Sequence, residues 1–458
     1  MTRCALIGAH FSCKNFLKQK TNKCSQNACK LEKYVLYLVI PMEIELTRDQ
    51  ENAKNLIAEW FINTDDQIFV LSGYAGTGKT FLIDYIVRYV LKLRAGEEAV
   101  FVSPTGKAAA NLVRNGTVAG TVHSLIYVRD EEDFGVDENG EIVELDELRF
   151  IKKPKIDERI RLIIVDEASM LNEAILNDLL SFNVKCLFCG DGAQLPPVNG
   201  TCPLLANPNY TMKEIVRQAA DNPIIRLATM ARRGERIPYG NYEDKVCVIN
   251  QNMLVGKKRK KLFLSADQII CGRNRTRVAL NAEIRAYLGI DPQSLLPVDG
   301  EKLICTLNNW EQPLDNDGQF FLVNGVIGRV KNVKEQMDDL AMVEFTADFR
   351  KDKITVPFDT GIFTKGRYSH RYGARAITLF DGTVVGEENT QLLRKIRTIK
   401  DEPISRFEFA YAVTCHKAQG SEFNNVIVFD ESWVFGEAQA QWLYTAITRA
   451  RKKLLIIR

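Results

Sequence analysis

The segment QIFVLSGYAGTGKTFLIDYIVRYVLKL, residues 67–93, joins an apolar strand pattern to a helical pattern through a turn rich in glycine. The turn, GYAGTGKT (73–80), has the form G-x-x-x-x-G-K-T in the strand–turn–helix context that this motif requires. Its glycines let main-chain N–H groups approach phosphate oxygens, while Lys79 would neutralise phosphate charge and the Thr80 hydroxyl would hold Mg²⁺. The turn therefore predicts a nucleoside triphosphate site, and a glycine-rich turn without a ligand is the weaker alternative.

Composition describes a globular chain of ordinary type. Of its 458 residues, 46% are hydrophobic and 26% are charged, which is typical of neither a disordered nor a membrane protein. No apolar stretch approaches the roughly 20 residues that span a bilayer. The net charge of +3 neither demands nor excludes a nucleic-acid partner, so any basic surface must be local. We expect a monomeric protein without a membrane partner in the cytoplasm, which for a viral protein is the host cytoplasm.

The first residues differ in composition from the rest. Residues 1–41 hold four of the 11 cysteines at spacings unlike a zinc site, and Met42 opens a stretch that resembles a natural start. We expect this N-terminal extension to lie outside the fold. Cys186 and Cys189 form a CxxC on an apolar strand without a second pair, and we interpret them as buried thiols in a reducing compartment.

Short apolar strands alternate with helical patterns from residue 47 onward, which predicts an α/β fold with parallel sheets. Residues 42–210 form the first predicted domain, and the Asn139-Gly140 pair predicts a β-hairpin insertion at about 124–161. The second domain is predicted from residues 211–299 and 404–458. Between these two parts, residues 300–403 carry many short strands and turns, which suggests a small β-barrel-like insertion.

Two acids follow the buried strand in LIIVDEAS (162–169). Asp166 suits a Mg²⁺ ligand that acts through water, and Glu167 suits the base that orients or deprotonates an attacking water. Solvated acids at the end of a strand are the plain alternative. Because both acids follow a P-loop in the expected order, they favour a hydrolase over a kinase.

Three further side chains could complete the chemistry of phosphoryl transfer. Gln194, in FCGDGAQLPPV (188–198), is a candidate sensor of the γ-phosphate, unless the segment is a simple surface turn. Arg217 and Arg449 are candidates for a clamp on the charge that develops during the reaction. An arginine on a helix is otherwise most often part of a solvated face.

The segment TCHKAQGSEF (414–423) follows an apolar run with a histidine, a lysine and a glutamine. No metal-ligand spacing links His416 to the other histidines, which leaves a buried structural histidine or a contact to a charged polymer as alternatives. A second basic segment, GKKRKKL (256–262), is either a solvated loop or a DNA contact.

In this order, the motifs resemble those of the superfamily 1 helicases, specifically the RecD- and Dda-like branch. The resemblance covers about residues 46–458. It is carried by LTRDQENA (46–53), GYAGTGKT (73–80), SPTGKAAA (103–110), TVHSL (121–125), IVDEASM (164–170), GDGAQLPPV (190–198), VRQ (216–218), YAVTCHKAQGSEF (411–423) and LYTAITRARKKLLII (443–457).

The resemblance implies two RecA-like P-loop domains, with the hairpin as a strand-separating pin and the inserted barrel as an SH3-like module. It implies ATP and Mg²⁺ as ligands and movement from 5′ to 3′. Gln50 would read the adenine. The other implied nucleotide contacts are Gly73, Ala75, Gly76, Thr77, Gly78, Lys79, Thr80, Phe81, Gly420 and Tyr444, with Thr80 and Asp166 at the metal.

The resemblance also implies single-stranded DNA and DNA forks as partners, together with single-strand-binding or replication proteins. The implied DNA contacts are Pro104, Thr105, Lys107, His123, Phe134, Thr414, His416 and Lys417. Ten acidic residues within 130–147 should repel phosphate, so either the tip or Phe134 meets the fork, or the acids face solvent.

The sequence thus predicts an ATP-dependent DNA helicase or translocase acting in replication, recombination or repair. Two related functions stay open, namely a translocase that remodels protein–DNA complexes without unwinding and a RecD-like subunit of a nuclease–helicase complex. A P-loop kinase is the alternative from another class, but it gives residues 414–451 no role.

Overall fold

The computed structural model describes residues 45–114, 117–129, 134–136, 142–144, 150–196, 203–216, 219, 221–315, 320–370, 374–378, 383–386 and 400–458. Residues 1–41 and Arg217 therefore lie outside the described part of the chain. Arg48–Arg458 form one compact unit. Among the described helices, none combines the length and the apolar character needed to cross a bilayer.

The first domain is built on six parallel strands in the order β10-β1-β9-β8-β2-β3. Its central strands are buried on both faces because helices cover the sheet, which explains their continuous apolar runs. The elements are α1 (Arg48–Asn63), β1 (Ile68–Gly73), α2 (Lys79–Tyr85), a π-helical turn (Ile86–Val90), β2 (Ala99–Ser103), α3 (Gly106–Arg114), β3 (Ala119–Thr121), α4 (Val122–Ile126), β4 (Tyr127–Arg129), β5 (Phe134–Val136), β6 (Ile142–Glu144), β7 (Phe150–Lys152), β8 (Leu162–Val165), a 3₁₀ turn (Ala168–Met170), α5 (Glu173–Leu180), β9 (Lys185–Gly190), a 3₁₀ turn (Pro203–Ala206) and β10 (Tyr210–Met212).

The predicted hairpin region contains two antiparallel pairs. β4 pairs with β7, and β5 pairs with β6, with Phe134 opposite Glu144. The turn at Asn139-Gly140 lies outside the described residues. The position of these two pairs agrees with an insertion between β3 and β8, while its use as a pin stays a prediction.

The second domain begins with helices and strands that precede the inserted β-region. They are α6 (Pro223–Arg232), β11 (Gly240–Tyr242), β12 (Val246–Ile249), a 3₁₀ turn (Gln251–Met253), α7 (Gly256–Ser265), β13 (Gln268–Cys271) and α8 (Asn274–Leu288). The basic segment 256–262 is therefore helical, and its interpretation as a loop was wrong. Arg259 turns inward to pair with Glu283 at 2.6 Å, and this pairing leaves the lysines of the helix on the outside.

The inserted region is rich in strands. Its elements are β14 (Lys302–Cys305), β15 (Asn309–Pro313), β16 (Phe321–Leu322), β17 (Ile327–Glu335), β18 (Leu340–Ala347), β19 (Ile354–Asp359), α9 (Gly361–Thr364), β20 (Arg375–Thr378), β21 (Val384–Gly386) and β22 (Lys400–Pro403). A five-stranded antiparallel sheet has the order β19-β18-β17-β14-β23, where β23 is Phe407–Phe409. The sheet thus extends beyond the predicted boundary at 403, because the fully buried Phe407 completes the apolar core of the insertion.

The chain then returns to the second domain through β24 (Ala412–Thr414), α10 (Cys415–Ala418), β25 (Phe423–Phe429), a 3₁₀ segment (Ser432–Ala438), α11 (Gln439–Ile447) and β26 (Ala450–Ile457). These strands complete a second six-stranded sheet in the order β11-β12-β26-β25-β13-β24, which is parallel except at β11. The α/β architecture with parallel sheets is therefore confirmed. Cys186 and Cys189 are buried free thiols in β9, as predicted.

Candidate nucleotide site and strand-binding cavity

The turn between β1 and α2 has the backbone geometry of a phosphate-binding loop. Gly76 and Gly78 have φ angles of 83° and 79°, a region in which side chains are strained. The Lys79 ammonium group donates hydrogen bonds to the main-chain carbonyls of Gly73 and Tyr74, which holds the charge over the loop. The buried Gln50 amide donates to the Thr77 carbonyl at 3.1 Å, so Gln50 supports the loop from behind.

The two predicted acids lie side by side at the end of β8. The Asp166 carboxylate accepts a hydrogen bond of 3.0 Å from the Glu167 N–H, and Glu167 has a φ of 54°, the left-handed region that is strained for a residue with a side chain. Burial raises the pKa of both carboxyls above the usual range. The nearby charge of Lys79 opposes this rise in the pKa of Asp166, and that of Arg449 opposes it in the pKa of Glu167.

Both domains line one cavity of about 490 Å³ at their seam. Most of the predicted nucleotide residues lie on its wall, namely Ala75, Gly76, Gly78, Lys79, Thr80, Phe81, Asp166, Glu167, Gln194, Gly420 and Arg449. Gly73, Thr77, Gln50 and Tyr444 are not on this wall. The cavity also contains side chains that the sequence did not single out, including Asp191, Asn222, Glu422, Thr448 and Arg451. These residues lie in or near the quoted motifs. Polar residues on loops are too common, however, to be identified as site residues by their type alone.

Arg449 reaches from the second domain to a loop of the first. Its guanidinium is buried, with Nε donating to the Thr445 carbonyl at 3.1 Å and Nη1 donating to the Ser421 carbonyl at 3.3 Å. Nη2 donates to Oε1 of Gln194 at 3.2 Å. The predicted clamp residue and the predicted phosphate sensor are therefore in direct contact across the seam.

Tyr444 makes a second link across the seam. Its hydroxyl accepts a hydrogen bond of 2.7 Å from the N–H of Ala75 in the phosphate-binding loop and donates one to the buried carboxylate of Asp191. Burial and the Asp191 charge raise the pKa of Tyr444 far above its usual value, so the hydroxyl keeps its proton. Tyr444 was predicted to contact the nucleotide; the structure shows its hydroxyl bound to the loop backbone and to Asp191, and the nucleotide contact stays a prediction.

A second cavity of about 360 Å³ collects the predicted DNA contacts from both domains. Pro104, Thr105, Lys107 and His123 line it from the first domain, and His416 and Lys417 from the second. Two other predicted contacts are placed differently. The Thr414 hydroxyl caps α10 by accepting from the Lys417 N–H at 3.4 Å, and Phe134 lies in β5, where only its backbone is described.

The inserted region adds residues to this second cavity that the sequence analysis missed. Asn308, Trp310 and Asn324 lie on its wall. The Trp310 ring stacks on the His123 ring with centroids 5.1 Å apart and planes at 24°. Because these residues lie outside the motifs, no sequence signal identified them.

Within the second cavity, the lysines and not the histidines carry positive charge. Burial lowers the pKa of His123 and of His416, so both imidazoles are neutral near pH 7 and carry no charge to phosphate. The positive charge comes from the lysines. Lys417 pairs with Glu408 at 3.0 Å, and the Lys107 ammonium donates to the Lys417 carbonyl at 3.4 Å.

Two family models match this chain. A model described as an AAA domain covers residues 45–251, and a model described as a UvrD-like helicase C-terminal domain covers residues 409–457. The chain is also 28% identical, over 84% of its length, to the ATP-dependent RecD2 DNA helicase of Deinococcus radiodurans, and 24% identical, over 85% of its length, to the RecBCD enzyme subunit RecD of Buchnera aphidicola. The chain is therefore similar to the RecD-like helicases of superfamily 1.

This RecD-like chain spans 46% of the length of the RecD2 helicase and 70% of that of the RecD subunit. The crystal structure of Pif1 helicase from Bacteroides, in complex with ADP-AlF3 and ssDNA, is similar with a TM-score of 0.45 and 18% identity. That similarity covers 90% of this chain and 92% of the Pif1 chain. The resemblance to superfamily 1 helicases, first carried by short motifs, is thus confirmed by relatives that match most of this RecD-like chain.

Proposed function

We propose that this RecD-like chain is an ATP-driven DNA helicase or translocase that moves along single-stranded DNA. One observation carries the proposal. A cavity with the residues for nucleoside triphosphate hydrolysis and a cavity with the residues for gripping a strand both lie between the same two domains. A change in the distance between the domains would therefore act on both ligands at once.

The residues of the first cavity fit ATP and Mg²⁺. The positive φ angles at Gly76 and Gly78 open main-chain N–H groups toward phosphate, and the volume of about 490 Å³ lies within the usual range for a small-molecule site. Magnesium, when bound, would neutralise phosphate charge, and the Thr80 hydroxyl and the Asp166 carboxylate are the oxygen ligands available for it.

The chain's own groups have distinct roles in hydrolysis. The Glu167 carboxylate accepts a proton from the attacking water, and its raised pKa brings it closer to neutral pH, where a general base works best. Gln194 orients the terminal phosphate, while Lys79 and Arg449 stabilise the charge on its oxygens. Because Gln194 and Arg449 belong to different domains, full stabilisation requires a closed seam.

The second cavity suits a nucleic-acid strand of any sequence. Lys107 and Lys417 supply charge for the phosphate backbone, which carries no sequence information. The stacked His123 and Trp310 rings offer a platform for a base, and every base has a face that can stack. Movement follows if the affinity for the strand differs between the closed and open states, because a ligand without such a difference shifts nothing.

Several finer features of the proposal rest on the resemblance. They include movement from 5′ to 3′, a pin formed by the hairpin insertion, and a role in replication, recombination or repair. They also include action as a monomer, DNA forks as substrate, and single-strand-binding or replication proteins as partners. The bridge between Phe358 and Ser405, which joins β19 to the segment before β23, supports an SH3-like barrel for the inserted sheet.

ATP hydrolysis by the wild type and by Lys79→Ala, with and without single-stranded DNA, tests the proposal. We expect DNA to raise the wild-type rate at least about tenfold, the equivalent of about 1.4 kcal/mol in the barrier. Lys79→Ala should abolish hydrolysis, whereas Lys353→Ala, on an exposed side chain of the inserted sheet, should not. A wild-type rate that is indifferent to DNA would refute the motor.

A translocase that does not separate strands is the second candidate function. The ten acidic residues within 130–147 favour it, because they would repel the phosphates of a fork. Duplexes with a 5′ or a 3′ single-stranded tail distinguish the two candidates. Release of the strand from the 5′-tailed duplex supports a 5′-to-3′ helicase, whereas hydrolysis without release, together with displacement of a bound protein, supports the translocase.

A further inference from the structure

A groove of about 450 Å³ lies on the second domain between α7 and the strands β12, β25 and β26. Its floor is a row of apolar side chains that the sheet register sets side by side, with Cys247 opposite Leu455 and Leu455 opposite Ile427. Leu262 of α7 forms one wall. Ile427 belongs to the apolar core beneath α7 and α8, while Leu262 and Leu455 pack against that core and, like Cys247, stay partly exposed to the groove.

Three lysines rim the groove, Lys245, Lys258 and Lys453, and all three are exposed. Within the described part of the chain, none of them forms an ion pair with a protein carboxylate, and Asp244 is the one acid on the groove wall. In a chain with 61 basic and 58 acidic residues, three unpaired cations around one apolar floor concentrate positive charge locally. An occupant should therefore bring both carboxylates and an apolar side chain.

The groove is separate from the strand-binding cavity. Its residues lie along β12, β25, β26 and α7, whereas His416 and Lys417 follow the end of β24, and no described residue lines both. In the sheet order β12-β26-β25-β13-β24, β13 separates the strands of the groove from β24. A strand held in the cavity does not account for this groove.

The side chains on the groove floor indicate which kind of negatively charged partner would fit the groove. A base of single-stranded DNA binds best on an aromatic ring, but no aromatic side chain lines the described groove. A duplex backbone offers phosphates but nothing apolar to bury against the partly exposed Cys247, Leu455 and Leu262. An acidic peptide with apolar side chains satisfies both the rim and the floor.

We propose that this groove docks an acidic, partly apolar peptide segment of a partner protein. The apolar side chains of the peptide lie on the partly exposed Cys247, Leu455 and Leu262, and its carboxylates pair with the three rim lysines. Such a site would recruit the motor to a partner without occupying the nucleotide or strand cavities.

The test uses a fluorescein-labelled peptide, Asp-Asp-Leu-Asp-Leu-Phe, and measures its anisotropy with the 458-residue chain. Two peptides separate the contributions, one with Asn in place of Asp and one with Ser in place of Leu and Phe. We expect saturable binding of the first peptide and at least tenfold weaker binding of both others. Lack of saturation up to about 1 mM, or equal binding of the peptide without apolar residues, would overturn the proposal.

Variants locate the binding. Lys258→Glu combined with Lys453→Glu should weaken binding at least tenfold. Lys260→Glu should not, because residue 260 lies about 200° around the helix from residue 258. None of these lysines lines the nucleotide cavity, so ATP hydrolysis in the absence of DNA should be unchanged in each variant and serves as the check of folding.

Cys247 gives a second, site-specific measurement. It is the one partly exposed thiol among the described cysteines and lies on the groove floor. The acidic peptide should slow alkylation of Cys247 by N-ethylmaleimide at least fivefold, as followed by mass spectrometry of the fragment that contains it. Equal protection by a thymidine dodecamer would identify a nucleic-acid site instead, and no protection by the peptide would contradict docking here.

Discussion

The side-chain amide of Gln419 donates a hydrogen bond of 2.6 Å to the main-chain carbonyl of Leu195. The Leu195 N–H donates to the Thr445 hydroxyl at 2.8 Å, and the Leu195 side chain is buried in the core of the second domain. Gln194, its neighbour, contacts Arg449 in the nucleotide cavity, whereas Gln419 lines the strand cavity. Hydrogen bonds from the second domain therefore hold the loop that contains Gln194 and Leu195, at a point between the two cavities.

Gln419→Leu removes the amide while keeping the size of the side chain. The Leu195 carbonyl then loses a partner inside the seam, which costs about 1–3 kcal/mol. We expect the stimulation of ATP hydrolysis by single-stranded DNA to fall roughly tenfold, with less change in the basal rate. Steady-state ATPase assays with and without DNA measure the ratio. Gln293→Leu on an exposed loop is the matched control, and an equal fall in both rates would argue against a coupling role for Gln419.

Tyr444→Phe removes one hydroxyl that bridges the domains. The Ala75 N–H and the Asp191 carboxylate both lose a hydrogen bond, and for the buried carboxylate this is costly. Because the ring remains, the effect should fall on the phosphate-binding loop: we expect KM for ATP to rise several-fold and kcat to fall. Tyr242→Phe, whose hydroxyl donates to the Pro238 carbonyl away from both cavities, should leave both constants unchanged. Wild-type constants in Tyr444→Phe would show that this bridge does not matter.

Trp310→Ala tests the stacking platform in the strand cavity. Loss of a base–aromatic contact costs about 1–3 kcal/mol, so we expect the Kd for single-stranded DNA to rise about 5–150-fold. Binding of a fluorescent thymidine oligonucleotide measures this Kd. Tyr239→Ala removes another exposed ring, 53% accessible and not part of that cavity, and should not change the Kd. If both variants bind like the wild type, the strand takes a path that avoids Trp310.

The sequence predicted the parts of the fold and site that follow from local pattern. The pattern at 67–93 correctly predicted the strand, the glycine-rich turn and the helix that the structure shows, because glycine spacing and hydrophobic period agree there. Trp310 was not predictable, since it reaches the cavity from an insertion and only tertiary packing brings it to His123. The hydrogen bond from the Ala75 N–H to the Tyr444 hydroxyl was not predictable either, because motif membership identifies the region of a residue but not the atom that it contacts.

The basic helix at 256–265 is a second feature that local sequence patterns did not predict. The run of charge at 256–262 suggested a loop, yet Arg259 pairs with Glu283 and its guanidinium lies over the Phe263 ring. These inward contacts, together with the buried Phe263, make the segment the outer face of an amphipathic helix. Local propensity alone could not reveal this, because the partner Glu283 lies on another helix.

Because Lys302 is buried, the free energy of unfolding should depend on pH in the alkaline range. Its ammonium is buried and donates to the Asp267 carbonyl at 2.7 Å and to Oε1 of Gln268 at 2.9 Å. Burial lowers the pKa of Lys302 from its usual value of 10.5 to about 8, against the opposing charge of Asp348. Between pH 8 and 10.5 the unfolded chain binds a proton that the folded chain has released, so the free energy of unfolding should rise with pH across this window by roughly 3 kcal/mol from this group.

Lys302→Met should remove this rise, because a methionine does not titrate. Urea unfolding at a series of pH values from 7 to 10.5, followed by intrinsic fluorescence, gives the slope for the wild type and the variant. Lys353→Met, on a side chain that is 60% exposed, should keep the wild-type slope, since it removes a solvated charge and leaves the buried Lys302 in place. A wild-type slope in Lys302→Met would mean that Lys302 keeps its proton throughout this range and that its hydrogen bonds to Asp267 and Gln268 offset the cost of burying the charge.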